Sequence, residues 1–190
     1  EELTRLDACR LVDRCAGFRP GSLATPTAAV KHVLRLLARR HLRLTSEIEG
    51  INNELSHLTT ETAPALVDTF GIGPDTAATL LVTAGSNPER LRSESAFAAL
   101  CGVSPIPASS GKTNRHRLNR GGDRQANSAL YRVVLVRLRY DKRTREYMQR
   151  RTGEGRTKPE VIRCLKRYVA RQIYTILRDI GRRNLILGAA

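Results

Sequence analysis

The chain has 190 residues, enough for one domain or for a small domain with a helical appendage. Apolar residues make up 41% and charged residues 27%, which excludes the disordered class and makes a folded protein the default. Lysine and arginine number 33 against 18 acidic residues, and the excess is one-sided: residues 1–107 carry 11 basic and 12 acidic side chains, residues 108–190 carry 22 and 6. Repulsion of that size in so short a segment points to a polyanionic partner, with phosphate as its natural source.

Residues 3–16 place Leu3, Leu6, Leu11 and Val12 among Arg and Asp, a short helix closed by Gly17 and Pro20. A second helix opens with Thr25 as N-cap and Pro26 at its first position, and nothing stops it before about Thr60. Val30, Leu34, Leu37, His41, Leu44, Ile48, Ile51, Leu55 and Leu58 recur in steps of four and three, so one seam faces a partner. That partner is residues 1–16 or a second copy of the chain, and the alternative is a long amphipathic core helix. His41 reads as an interface polar residue, and Gly50 weakens the helix by about 1 kcal/mol.

Two apolar helical segments then flank Gly71-Ile72-Gly73-Pro74. This suits a helix-hairpin-helix in which Ile72 plugs the turn and N–H groups at the next helix start hold a phosphate oxygen; an ordinary two-glycine turn is the alternative. Ser95 to Cys101 forms a short apolar helix ended by Gly102. Residues 103–122 show no helical or strand period and read as a long exposed loop carrying Ser109, Ser110, Gly111, Lys112, Arg115, Arg117 and Arg120. From Asp123 the chain is helical, with Leu130, Val133, Val134, Val136 and Leu138 on its buried side and Arg124 among its basic residues. A polar connection at 151–158 leads to a last helix from Pro159 to about Ile180, whose exposed face carries Arg163, Lys166, Arg167 and Arg171. The fold class is all-α: a coiled-coil segment at 1–62, then a helical domain at 63–190 containing the hairpin and the basic loop.

Phosphoryl transfer needs a nucleophile, groups that stabilise negative charge and usually paired carboxylates for metal. Ser109 or Ser110 offers the first, and Lys112, Arg115, Arg117, Arg120 and Arg124 the second; the alternative for the serines is a solvated hydroxyl. Ser-Gly-Lys is not a phosphate-binding P-loop, because the upstream glycine is missing. Acidic residues of the basic half are scattered singly, so no metal site is expected. Cys9, Cys15, Cys101 and Cys164 lack zinc-site spacing and read as free thiols. Three phenylalanines and five tyrosines are too few for a base-stacking platform, so backbone contacts should dominate. With no lipidation signal, no apolar run near the roughly 18 residues of a membrane span and an acidic start unlike a signal peptide, a cytoplasmic, nucleoid-associated protein is expected.

The stretches Phe70 to Ala77, Ser95 to Pro105, Ser109 to Lys112 and His116 to Tyr131 resemble, in order and spacing, the C-terminal half of insertion-sequence transposases of the IS-one-ten family and the related Piv-type DNA invertases. The likeness covers about residues 64–181, and the preceding coiled coil sits where that family has one. It implies site-specific DNA recombination, guided in some members by a structured RNA that bridges donor and target. It also implies a serine nucleophile that joins covalently to DNA; by position this is Ser110, with Ser109 as runner-up. Gly71, Gly73, Lys112, Arg115, Arg117, Arg120 and Arg124 would help hold nucleic acid. DNA, a possible guide RNA and a second copy of the chain are the implied partners. The family's metal ligands, for a divalent ion such as magnesium, belong to a RuvC-like domain with no counterpart in these residues. With no Met at its start, the chain is therefore expected to be an excised part of a transposase or a decayed remnant. Whether it is an enzyme alone stays open, a non-catalytic nucleic-acid-binding protein being the alternative.

Overall fold

The computed structural model describes residues 3–85, 91–108 and 116–187, the stretch 182–187 by its backbone only. Among the described residues there are eight α-helices, a 3-10 turn and one pair of two-residue strands, in agreement with an all-α reading. Close packing separates two units, Glu1–Glu54 and Leu55–Ala190, with the division inside the longest helix.

In the first unit, a 3-10 turn at Leu3–Arg5 precedes α1 (Ala8–Ala16). Asp7 caps α1 by accepting from the Arg10 N–H at 3.0 Å, which satisfies one of the helix's orphan donors. Helix α2 (Pro26–Thr62) begins where its sequence predicts, with Thr25 Oγ1 accepting from the Ala28 N–H at 3.2 Å. Leu3 and Phe18 border a shallow hollow with Pro26, Val30 and Leu34 at the start of α2. Beyond it the heptad seam is open: Leu37, Leu44, Ile48, Ile51 and Leu58 are all 40% exposed or more.

The second unit holds the core. Helix α2 stops at Thr62 because Ala63 precedes Pro64 and leaves helical geometry, at φ −146° and ψ 60°. One helical turn, α3 (Pro64–Val67), leads through the glycine turn to α4 (Pro74–Ala84). Then follow α5 (Glu94–Leu100), strands β1 (Ile106–Pro107) and β2 (His116–Arg117), and helices α6 (Arg124–Tyr140), α7 (Lys142–Gly153) and α8 (Lys158–Leu187). Helix α6 packs on α4, α7 and α8, and α8 also packs on α3, α5 and α7. Leu66, Leu80, Phe97, Leu130, Val133, Val161 and Ile173 meet there with their side chains fully or almost fully buried.

Two features depart from the sequence expectation. The stretch after Asp123 is two helices, because Asp141 leaves helical geometry (φ −98°, ψ 121°) and caps a new one by accepting from the Thr144 N–H at 2.9 Å. The expected loop at 103–122 contains a minimal antiparallel pair, Ile106 opposite Arg117 and Pro107 opposite His116.

Candidate nucleic-acid interface

Gly102 and Gly122 set the geometry around which this site is built. Both have positive φ, 64° and 84°. A Cβ on Gly102 would lie 2.3 Å from the Gly121 carbonyl oxygen, and one on Gly122 would lie 2.4 Å from the Gly102 nitrogen. Only glycine permits this approach, which clamps the end of α5 to the start of α6. Asp123 completes the clamp: its N–H donates to the Leu100 carbonyl at 2.7 Å, and its carboxylate accepts from the N–H groups of Gln125 and Ala126.

Asn127, in the first turn of α6, donates through Nδ2 to the carbonyls of Cys101 at 2.9 Å and Gly102 at 3.1 Å. These bonds fix which way its amide points, and its Oδ1 accepts from Lys166 Nζ at 2.7 Å. Lys166 is 7% exposed. Burial pulls its ammonium below the ordinary lysine range, and the nearby Arg163 charge adds to the effect. Burial together with Asp123 pushes the Cys101 thiol up to about 12, so this cysteine stays protonated and is no nucleophile. All four cysteines are free thiols.

Lys166 lies in the wall of a cleft of about 360 Å³ between the Gly102–Pro105 turn, the β2 strand with its following residues, and the α7–α8 corner. Arg117, Arg151, Arg156, Arg163, Lys166, Arg167 and Arg171 line it, with Glu160 as its one carboxylate. Part of this charge is already answered. Arg167 Nη2 donates to Glu94 Oε2 at 2.8 Å, Arg171 approaches Glu94 at 3.7 Å, and Arg151 pairs with Glu154. Glu160 is committed to the start of α8, accepting from the N–H and hydroxyl of Thr157 at 2.9 and 2.8 Å, which holds its carboxyl below the usual range. Arg117, Arg156, Arg163 and Lys166 have no carboxylate within ion-pair distance among the described residues.

The residues singled out from sequence separate in space. Arg117 lines the cleft, and with Arg120 it also lines a shallower hollow beside Ile106 and Gly121. Arg124 is exposed at the first position of α6 and is not part of the cleft wall. Gly71 and Gly73 lie at the turn before α4, also outside the cleft wall. There Gly71 takes φ 87°, Ile72 is buried, and Arg137 Nε donates to the Phe70 carbonyl at 2.9 Å. Gly73 caps α4 without a side-chain bond, so the first N–H groups of that helix lack a side-chain acceptor from the cap. The helix before this turn has four residues. Ser109, Ser110, Lys112 and Arg115 lie outside the described residues.

From sequence, the cleft's α8 residues read as a solvated face. A signal was present in Lys166, which stands four residues from both Ile162 and Ala170, on the edge of the stripe that buries Val169 and Ile173. Sequence offers no such signal for Arg156.

Residues 63–149 match the model of the Transposase IS116/IS110/IS902 family. The matched stretch runs from the start of α3 into α7, and α8, which supplies much of the cleft, follows it. Among curated proteins, the chain is 30% identical over 118 residues to the insertion element IS110 uncharacterized 43.6 kDa protein of Streptomyces coelicolor, covering 62% of this chain and 29% of that protein. It is 28% identical over 110 residues to the insertion element IS900 uncharacterized 42 kDa protein of Mycobacterium paratuberculosis, covering 57% of this chain and 28% of that protein. The chain thus matches less than a third of the length of each relative. These likenesses support a transposase-related role. Among the described residues, no helix is long and apolar enough to cross a membrane, and no three His, Cys, Asp or Glu side chains come together as a metal site.

Proposed function

We propose that this chain is the nucleic-acid-holding, serine-bearing part of an insertion-sequence transposase. The observation that carries the reading is that the basic cleft is walled by Pro105 and by His116 and Arg117, the residues on either side of the segment that contains Ser109 and Ser110. Ser110 stands three residues beyond Pro107, a tether of roughly 11 Å at full extension. In sequence, the segment that bears that hydroxyl thus joins two parts of the cleft wall. Arg117, Arg156 and Arg163 supply positive charge in a partly desolvated groove, where it is worth more than on an open surface.

In the proposed reaction, Ser110 Oγ attacks phosphorus and gives up its proton. A new Oγ–P bond forms while a P–O bond to one deoxyribose breaks, and the departing oxygen takes a proton. The diester count is conserved, so the step stores the bond energy needed for rejoining. A divalent metal does not fit the described carboxylates, since Glu160 is engaged by Thr157 and Glu94 by Arg167. Metal chemistry belongs, on this reading, to a RuvC-like partner domain. The glycine turn at Gly71 and Gly73, with its uncapped helix start, serves as a second phosphate contact in the manner of a helix-hairpin-helix. The open seam of α2 pairs with a second copy of the chain as a coiled coil. DNA is the primary partner, a structured guide RNA is a further one, and the protein works in the cytoplasm at the nucleoid.

The test is covalent trapping. With a RuvC-like domain joined upstream, the protein is expected to form a DNA adduct that survives denaturation, and Ser110→Ala is expected to remove the adduct while reversible binding persists. An adduct that persists in Ser110→Ala and vanishes in Ser109→Ala would move the role by one residue. An adduct that survives both replacements would overturn the serine assignment.

A further inference from the structure

Two neighbouring cations in the cleft wall, one half-buried and one buried, are treated differently by the fold. The Arg167 side chain, 21% exposed, faces the carboxylate of Glu94. Lys166, 7% exposed, faces only the neutral amide oxygen of Asn127 among the described residues. An ammonium carries three donors, and this bond uses one. Burying a charge without a counter-charge is costly, and the fold has not relieved the cost by turning Lys166 outward as long lysine stems usually allow. Asn127 cannot relieve it either, because both of its Nδ2 bonds go to the Cys101 and Gly102 carbonyls of the glycine clamp. Arg163, on the same helix, adds repulsion instead of compensation. The site therefore lacks one anion, and the cleft is where an anion would enter.

We propose that Lys166, held by Asn127 in the cleft wall, is an anchoring residue that seats one phosphodiester oxygen of nucleic acid. The inference rests on the reading of the cleft as a nucleic-acid interface and assigns the contact on which that binding centres. Arg117, Arg156 and Arg163 attract the backbone at long range, and the buried ammonium, pre-oriented by a rigid turn, fixes its register. A diester is favoured over free phosphate because Arg117, Arg156 and Arg163 also border the cleft with no carboxylate within ion-pair distance among the described residues, as a backbone with several phosphates requires.

The test follows the Lys166 ammonium directly. The chain has five lysines, so in 15N-lysine-labelled protein its signal is assigned by its loss in Lys166→Met and by replacing Lys31, Lys112, Lys142 and Lys158 with Arg in turn. A short duplex DNA and inorganic phosphate are titrated separately at equal ionic strength, alongside anisotropy measurements of duplex affinity. The expected result is a shift of this signal that saturates with the duplex. Lys166→Met is expected to lose about tenfold in affinity with a salt slope smaller by about 1. Lys142→Met, exposed on α7 and paired with Glu146, is expected to lose much less. If the duplex binds while the Lys166 signal stays put, the inference fails and the broader reading survives. If phosphate shifts the signal and duplex does not, the seat takes free phosphate and the diester assignment is overturned. If the protein binds no duplex even at low salt, the broader reading fails and the inference falls with it. Should Lys166→Met fail to fold, the signal in the folded protein, assigned through the other four lysines, still decides between these outcomes.

Discussion

Helices α2 and α8 carry the same kind of sequence signal and meet different fates. Both are long, 37 and 30 residues, and both repeat apolar residues at steps of three and four. In α8 the stripe Val161, Leu165, Val169, Ile173 and Leu177 is buried to 8% exposure or less by α3, α5, α6 and α7. In α2 the stripe is open, with Ile48 57% and Ile51 61% exposed. Periodicity states that a face needs a partner; it does not state whether the partner is in the same chain. The difference lies in what surrounds each helix in sequence. Helix α8 follows five helices, α3 to α7, of which α3, α5, α6 and α7 pack on it.

The sharpest way to break this comparison is to put the same charge into both stripes. Ile173→Asp buries an unpaired carboxylate at a fully enclosed position and is expected to cost several kcal/mol, enough to unfold the unit from Leu55 onward. Ile51→Asp is expected to leave the melting of that unit unchanged in dilute solution and to weaken self-association through α2. Circular dichroism melts and sedimentation equilibrium read the two effects separately. An equal loss of melting temperature in both variants would mean that the α2 stripe is buried within one chain.

A smaller change tests how α8 is held. Glu94, in the first turn of α5, bridges to Arg167 and Arg171 on α8, and the side chains of Glu94 and Arg167 are 26% and 21% exposed. Glu94→Gln keeps the shape and removes the charge, and is expected to cost about 1–3 kcal/mol in denaturant unfolding. The same substitution leaves Arg167 unanswered in the cleft, so duplex affinity is expected to rise slightly even as stability falls. A double-mutant cycle with Arg167→Met would show no coupling if the pair were ornamental. Nothing on α2 from Leu37 to Ile51 has an equivalent bridge to another element among the described residues; the ion pair of Arg43 with Glu47 lies along the helix itself.

Much of the fold was legible because local chemistry and tertiary packing agree. Thr25-Pro26 starts α2, Asp123 starts α6, and the apolar spacing of α8 matches its buried side. The cleft was less legible. Arg117 stands out because it sits in a basic loop, but Arg163 and Lys166 look from sequence like the solvated side of a helix, and Arg156 like part of a polar connection. Only the glycine clamp, by fixing the turn and Asn127 against α8, draws Lys166 into the wall of a cleft that Arg117 shares. Such a contact joins residues 39 apart in sequence, and no local period encodes it.

The break between α6 and α7 was missed for a related reason, and it yields the smallest prediction. Neither Gly nor Pro marks it, and apolar residues continue from Val136 and Leu138 to Tyr147 and Met148, so the pattern reads as one helix. What divides it is Asp141, which accepts from both the N–H and the hydroxyl of Thr144. Those bonds, the hydroxyl's being the larger influence, hold its carboxyl below its ordinary value of 3.8. A carboxylate depressed in the folded state stabilises it above that ordinary value, and the contribution is lost as pH falls through the folded value. Asp141→Ala should therefore cost about 1 kcal/mol at neutral pH. The gap from the parent should close on acidification below 3.8, because the parent then protonates the same group. A pH series of denaturant melts on the two proteins measures this closing gap. A gap that stayed constant into acid would show that the α6–α7 corner is held by packing of Tyr147 and Met148 on the core, with the cap merely following it.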